Sequence, residues 1–196
     1  MKRYTSEFAT RLSGFTLDTL EADVQSVFAV SQDLRLSYVN PAYCEFAERN
    51  DANTSALRQY PIGANLLDAV VGPIKEAFAQ RLQSVLTNGR ELQHEYVCNS
   101  PTLHREFHQR ILPLKDGHGL VFFNSLHVEA PMTEEAHPPV VASYIQATGL
   151  LTQCSNCRRT QRSDDPRRWD WVPLWVAATP ANTSHSICPP CFEYYW

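Results

Sequence analysis

Apolar residues recur at helical spacing in some stretches of the 196-residue chain and at strand-like spacing in others, and the changes of period mark out elements. Phe15, Leu17, Leu20 and Val24 sit near helical spacing, with Asp18 placed to favour a first turn. SVFAVSQDLRLSYVN reads as two short strands around a polar turn at Ser31–Asp33. Asn40-Pro41 predicts a helix start, because Asn caps free N–H groups and Pro suits the first helical position. The helix PAYCEFAERN follows, and DANTSALRQYPIGANLLDAVV reads as a loop. Ile74, Phe78, Leu82 and Val85 fall on one face of the strongest helix, and Asn88-Gly89 ends it. Three strands come next, and Asp116-Gly117 turns the last two into a hairpin.

Strands grouped around helices imply an α+β domain with an antiparallel sheet. The first strand must find a distant partner, for which the last strand is the natural candidate. EAPMTEEAHPPV, acidic and rich in Pro, reads as a linker. VASYIQATGLL reads as a short helix leading into the C-terminal segment, and residues 1–14 as a mobile or helical lead-in.

Composition changes the picture only by exclusion. The chain is 43% apolar and 19% charged with a net charge of −4, an ordinary globular balance that favours neither a general nucleic-acid binder nor a polybasic anchor. The N-terminus has no apolar signal segment, and no apolar run approaches the roughly 20 residues that span a bilayer. A cytoplasmic location, without membrane contact, is therefore expected. In a reducing compartment the six cysteines should not form a disulfide framework.

Four of them form two C-x-x-C pairs, Cys154/Cys157 and Cys188/Cys191. Each pair can present two thiolates from one tight turn, and two such turns can close a tetrahedral S₄ site. Four thiolates leave no open position, so a Zn²⁺ held there would be structural and would substitute for a core that so short a segment cannot build. Iron, or no metal at all, is the other reading of the same thiolates. His185 reads as a turn residue, with replacement of one ligand or a hydrogen bond to the ligand set as the other readings. Cys44 and Cys98 read as small core residues.

Arg158, Arg159, Arg162, Arg167 and Arg168 cluster with Trp169, Trp171 and Trp175. Such a mixture can grip a nucleic-acid backbone, or serve as a protein-binding surface. Asp164, Asp165, Asp170 and Glu193 dilute the charge, which favours a solvated loop with Trp residues forming a small core. His94, His104 and His108 lie on neighbouring predicted strands without a legible catalytic constellation.

Over residues 15–128 the chain resembles a PAS domain, through VFAVSQDLRLSYVNPAYCEFA, the helix from Gly72 to Leu86, and ILPLKDGHGLVFFNSL. The resemblance implies a PAS-like five-stranded antiparallel sheet with flanking helices, acting as a sensor and dimerisation module. CSNCRR, a following Trp and SHSICPPC resemble a tail seen in bacterial sensory proteins, to which no chemistry is attached. The organisation expected is a lead-in over 1–14, a PAS-like sensor over 15–128, a linker over 129–141 and a four-cysteine zinc-binding module over 142–196. A small ligand of unknown identity inside the sensor would be lined by Phe28, Tyr43, Phe46, Phe78, Phe107 and Phe122, although aromatics at such periodicities are more often plain core. Residues 73–87 contain no His, against one common haem mode of the family, and neither Cys44 nor Cys98 sits in a flavin-adduct motif. No kinase, cyclase or receiver motif is present. The function expected is a non-catalytic signalling protein that homodimerises through residues 4–24 and meets a protein partner. Its alternatives are a transcription or nucleic-acid regulator using the Arg/Trp-rich module, and a thiol redox switch or enzyme.

Overall fold

A computed structural model describes residues 3–50 and 60–195; the first part of the loop expected after the first core helix, residues 51–59, lies outside them. Two compact units are resolved: Met1–Val70 with Ala77–Glu95 and His108–Leu126, and Val71–Glu76 with Tyr96–Phe107 and His127–Trp196.

The main sheet contains β1 (Ser26–Ser31), β2 (Leu36–Val39), β3 (Leu92–Val97), β4 (Leu103–Pro113) and β5 (Gly119–Pro131), in the order β2-β1-β5-β4-β3. β1 pairs antiparallel with β5, from Ser26 opposite Asn124 to Ser31 opposite Gly119, so the first strand does find the last. The turn between β4 and β5 closes through Leu114 N–H donating to the Gly119 carbonyl at 2.8 Å. Asp116 and Gly117 both take positive φ there, the conformation that Asp-Gly tolerates at least cost.

Alternate residues of β1 separate the two faces of this sheet. Val27 and Ala29 pack with Leu20, Tyr38 and Val121. Val30 packs with Leu120, Phe122 and Ile111 against Leu82 and Val85 of the helix α3 (Ile74–Asn88). The period-2 pattern of β1 thus serves two apolar layers, one per face. Helix α1 (Leu17–Glu21) begins at Thr16, whose hydroxyl accepts the Thr19 N–H while Thr19 Oγ1 accepts the Thr16 N–H. Gly89 ends α3 in a left-handed conformation, with its N–H donating to the Val85 carbonyl.

The lead-in contains one 3-10 turn, Phe8–Arg11, and also pairs with the sheet. Val39 N–H donates to the Arg3 carbonyl and Thr5 N–H to the Ser37 carbonyl, so residues 3–5 cover the edge of β2. Phe8 is buried with its ring stacked on Tyr38, 4.5 Å between centroids. The apolar side chains Phe8 and Leu20 are therefore consumed by the chain's own core.

In the second unit, β6 (Leu151–Cys154), β7 (Thr160–Gln161), β8 (Trp169–Asp170) and β9 (Thr183–Ser186) form a sheet in the order β8-β7-β6-β9. Tyr144, Leu151, Val172 and Trp175 make its small core, with Trp175 in the short helix α4 (Pro173–Ala177). The helix expected over residues 141–151 is a single 3-10 turn, Val141–Ser143. Gly149 then reverses the chain with φ 79°, its N–H donating to the Gln146 carbonyl, which sends Leu151 into a strand. The segment expected as a linker is also built in. β5 runs to Pro131, Glu134 pairs with Arg159, and Ala136 bridges to Trp171.

Candidate metal centre and the inner face of the sheet

β6 and β9 run parallel, Leu151 opposite Thr183 and Cys154 opposite Ser186. Cys154 is the last residue of β6, and Cys188 stands two residues beyond β9 at the start of the helix α5 (Pro189–Tyr195). The two C-x-x-C turns consequently emerge side by side from the same ends of two parallel strands. Ser155 reinforces the register, donating both its N–H and its hydroxyl to the Ser186 carbonyl.

All four sulfurs lie within 4.8 Å of one another, and all four residues are buried. Cys157 Sγ and Cys188 Sγ are 3.5 Å apart, and none of the four is in a disulfide. A tetrahedral tetrathiolate site with metal–sulfur bonds of about 2.3 Å places its sulfurs about 3.8 Å apart, so these residues fit a metal ion. Polar hydrogens already point at the sulfurs: Asn156 Nδ2 donates to Cys191 Sγ at 3.2 Å and Cys188 N–H to Cys154 Sγ at 3.4 Å. Hydrogen bonds from the neighbouring thiols, led by Cys157, push the Cys154 thiol down, and those same neighbours, led by Cys154, push Cys157 up. Binding a cation here would release protons, because the ligating form of each cysteine is the thiolate. His185 is not among the clustered ligands; its Cβ packs near Gly72 instead.

Arg158, the residue after the first pair, takes φ 71°. A left-handed residue here lets the chain leave the C-x-x-C turn, and for a non-glycine it is strained by about 1–2 kcal/mol. Local bonds hold it: Arg158 N–H donates to the Cys154 carbonyl, Nε to Gln153 Oε1 at 3.0 Å, and Nη2 to Thr179 Oγ1 at 2.8 Å.

The other arginines are matched to acids. Arg159 pairs with Glu134, Arg162 with Asp164 and Asp170, Arg167 with Asp165, and Arg168 with Asp170. Arg167 and Arg168 nonetheless remain exposed. Trp171 is buried, and Trp169 packs beside the cysteine cluster. A constellation that sequence reasoning missed centres on buried Asp170, which accepts the Tyr144 hydroxyl at 3.0 Å and Arg162 Nη1 at 3.3 Å. Its partners stand 8 and 26 residues away, a separation no motif advertises.

Among the residues expected to line a ligand, Phe28 stacks on Phe122 at 4.3 Å and meets Tyr43 edge-on at 6.0 Å. Phe78 shares their apolar cluster and meets His94 edge-on. Burial, then Arg81 and His108, push His94 down to about 4. Phe107 belongs to the second unit and stacks on Tyr96. Phe46 lies half-buried on α2 (Pro41–Asn50). Of the two remaining cysteines, Cys44 is half-buried and packs against the Leu36 and Val39 cluster, whereas Cys98 is exposed, just past β3 in the turn to β4.

Five antiparallel strands in the order β2-β1-β5-β4-β3, flanked by helices and with the first core helix opening at Asn40–Pro41, match the arrangement that residues 15–128 resemble. The sheet has a PAS fold. No family model matches the sequence, and no curated protein is similar to it. Solved PAS-like structures are similar over about half of the chain. A domain of a sensory box sensor histidine kinase/response regulator from Geobacter sulfurreducens is 14% identical over 55% of this chain and 89% of its own, with a TM-score of 0.39. A domain of an HTR-like protein from Haloarcula marismortui is 15% identical over 54% of this chain and 100% of its own, with a TM-score of 0.38. A PAS domain from a two-component sensor histidine kinase is 12% identical over 56% and 91%, with a TM-score of 0.34. Among the described residues, no helix is long and apolar enough to cross a membrane.

Proposed function

We propose that this chain is a non-catalytic cytoplasmic signalling protein. Its PAS domain binds a small ligand or a protein partner, and its C-terminal part is a docking module held by one structural zinc ion. The observation that carries the reading is the closed set of four buried sulfurs, Cys154, Cys157, Cys188 and Cys191, all within 4.8 Å of one another. A tetrathiolate site has no open position at which a substrate could coordinate, so the ion's work is to hold the fold. Zinc suits four thiolates without adding redox chemistry; iron is the alternative that metal analysis separates.

Signal output then runs through contact with another molecule. The pairing of Arg159, Arg162, Arg167 and Arg168 with nearby acids supports a protein partner over a nucleic acid. Leu174 and Phe192 are the exposed apolar residues such a partner would cover. A homodimer remains part of the reading. With Phe8 and Leu20 consumed by the core, it would use exposed N-terminal positions such as Val24.

Native mass spectrometry of the freshly purified full chain tests these points together. The expected result is a dimer carrying one zinc per chain and a co-purifying small molecule. A zinc-free chain with an ordered module overturns the metal assignment. A salt-sensitive gel shift with DNA or RNA would move the function to nucleic-acid regulation, and reactive cysteines in the metal-loaded protein would move it to a thiol switch.

A further inference from the structure

The two ends of α3 are held in different ways. Its first residues, Ile74–Glu76, cluster with the second unit, and Ala77 onward with the first. Side chains anchor the later half: Leu82 and Val85 are buried beside Val30, Ile111, Leu120 and Phe122. The first turn has no such anchor, since Ile74 is half-buried and Lys75 and Glu76 are exposed. The leading N–H groups of a helix also lack partners inside it, so this end depends on what fixes the residues before it.

Gly72 is the residue that fixes them. Its carbonyl accepts the Lys75 N–H at 3.1 Å, and its φ of 71° turns the chain into α3. Its bare Cα lies against two residues of the metal-bearing strands. A Cβ there would stand 2.3 Å from Ser155 Oγ, 2.9 Å from His185 Cβ and 3.3 Å from the His185 carbonyl carbon. Ser155 directly follows Cys154, and His185 directly precedes Ser186, the residue paired with Cys154. Ser155 N–H and hydroxyl both donate to the Ser186 carbonyl, at 2.8 and 3.1 Å. Gly72 therefore rests on the seam where β6 and β9 deliver the two C-x-x-C turns.

We propose that the metal centre sets the order of the first turn of α3, acting through the contact of Ser155 and His185 with Gly72. The site is then a regulatory element as well as a structural one, and this rests on the metal reading proposed above. With the ion bound, the seam is fixed and Gly72 has a firm surface to rest on. Without it, the turns that begin at Cys154 and Cys188 lose their common tie, and the least-anchored end of α3 is released. Coupling of this kind runs both ways, so an event in the PAS core that displaces α3 loosens the metal by the same factor.

The glycines at the two ends of α3 supply a variant and its control. Gly72 and Gly89 take left-handed φ of 71° and 66°, so alanine strains the backbone alike at each, but a Cβ at Gly89 meets nothing within 4 Å. Zinc affinity of the full chain is measured by competition with a chromophoric chelator. Gly72→Ala is expected to weaken zinc binding at least about fivefold, the low end of an allosteric coupling, and Gly89→Ala to leave it unchanged. Hydrogen exchange of the unaltered protein, zinc-loaded and chelated, is a second readout that stands even if Gly72→Ala fails to fold. Removing zinc should speed exchange over residues 75–80 at least about fivefold and leave residues 84–88 as they were. Equal zinc affinity in the two variants, or unchanged exchange over residues 75–80, overturns the coupling and leaves the metal reading standing. Equal acceleration along the whole of α3 overturns it too, because the ion then supports the entire fold. A chain that takes up no zinc overturns the coupling and the metal reading together.

Discussion

Asn40 and Val27 exchange hydrogen bonds in both directions. Val27 N–H donates to Asn40 Oδ1 at 3.0 Å, and Asn40 N–H donates to the Val27 carbonyl at 2.9 Å. The same Oδ1 accepts the Tyr43 N–H at 2.8 Å, which caps α2. The Asn40 amide nitrogen meanwhile faces the carbonyls of Leu20, Asp23 and Gln25. One fully buried side chain thus joins the N-terminal segment, β1 and α2.

Asn40→Ala should therefore be among the most damaging single changes in the first unit. It strands two N–H groups and several carbonyls at once, and the expected loss is about 2–4 kcal/mol. Urea denaturation followed by far-UV circular dichroism measures it. A loss under about 1 kcal/mol, the size of an ordinary helix cap alone, would show that the wider network contributes little.

The turn at Gly72 makes a second, sharper test. Gly72 has φ 71°, and a Cβ built there would lie 2.3 Å from Ser155 Oγ and 2.9 Å from His185 Cβ. Gly72→Ala should destabilise the second unit by about 1–3 kcal/mol, combining the left-handed penalty with the clash. Adding Ser155→Ala should restore only part of it, because the His185 contact remains. Thermal melts followed by Trp emission report the effect, as Trp171 and Trp175 are buried in that unit.

Metal removal should act on the same signal. Elemental analysis is expected to find about one zinc per chain, since four thiolates complete one tetrahedral site. Chelation, or Cys154→Ser with Cys188→Ser, should shift Trp emission to the red. The Tyr144–Trp175 contact, 5.1 Å between centroids, would be lost with the module core. Emission unchanged after complete metal removal would show that the core of the module stands without the ion.

His94 sets a pH dependence. Burial holds its folded-state value down at about 4, against an ordinary value of 6.5. The unfolded chain therefore binds the proton first as pH falls. The contribution of neutral His94 is present above about pH 6.5 and is lost progressively towards pH 4. Allowing for partial solvent screening, the slope should remove about 1–2 kcal/mol over that window. His94→Gln should flatten it, as read by denaturation at successive pH values. An identical slope in the variant would assign the pH dependence to other groups.

Local chemistry made some of these features readable from sequence. Cys154/Cys157 and Cys188/Cys191 announce themselves because both ligands of each pair sit on one turn. Asn40-Pro41 and Asp116-Gly117 announce themselves because capping and left-handed turns demand particular residues at fixed offsets. Asn40's grip on Val27 was not readable, since its partners lie 13 to 20 residues away on other elements. The same holds for Asp170 with Tyr144. Residues 3–8 give no alternation, because they meet the sheet through the backbone of Arg3 and Thr5 and the ring of Phe8 instead of through a full strand. The apolar run from Val141 misleads for a different reason: Val, Ile and Leu suit either period, and Gly149 decides the outcome.

The parallel pairing of β6 with β9 has a consequence for how this chain can vary. The metal ligands sit at the ends of β6 and β9, and the exposed turn between β7 and β8 is a loop tied at its base by Arg162 N–H donating to the Arg168 carbonyl. Closing such a loop becomes harder only with the logarithm of its length, about 0.6 kcal/mol for each doubling. Insertions placed at the exposed stretch around Arg167, clear of Asp170, should therefore leave the clamp intact. Related chains could carry much longer excursions there, and new binding surfaces with them, without renegotiating the fold at the base.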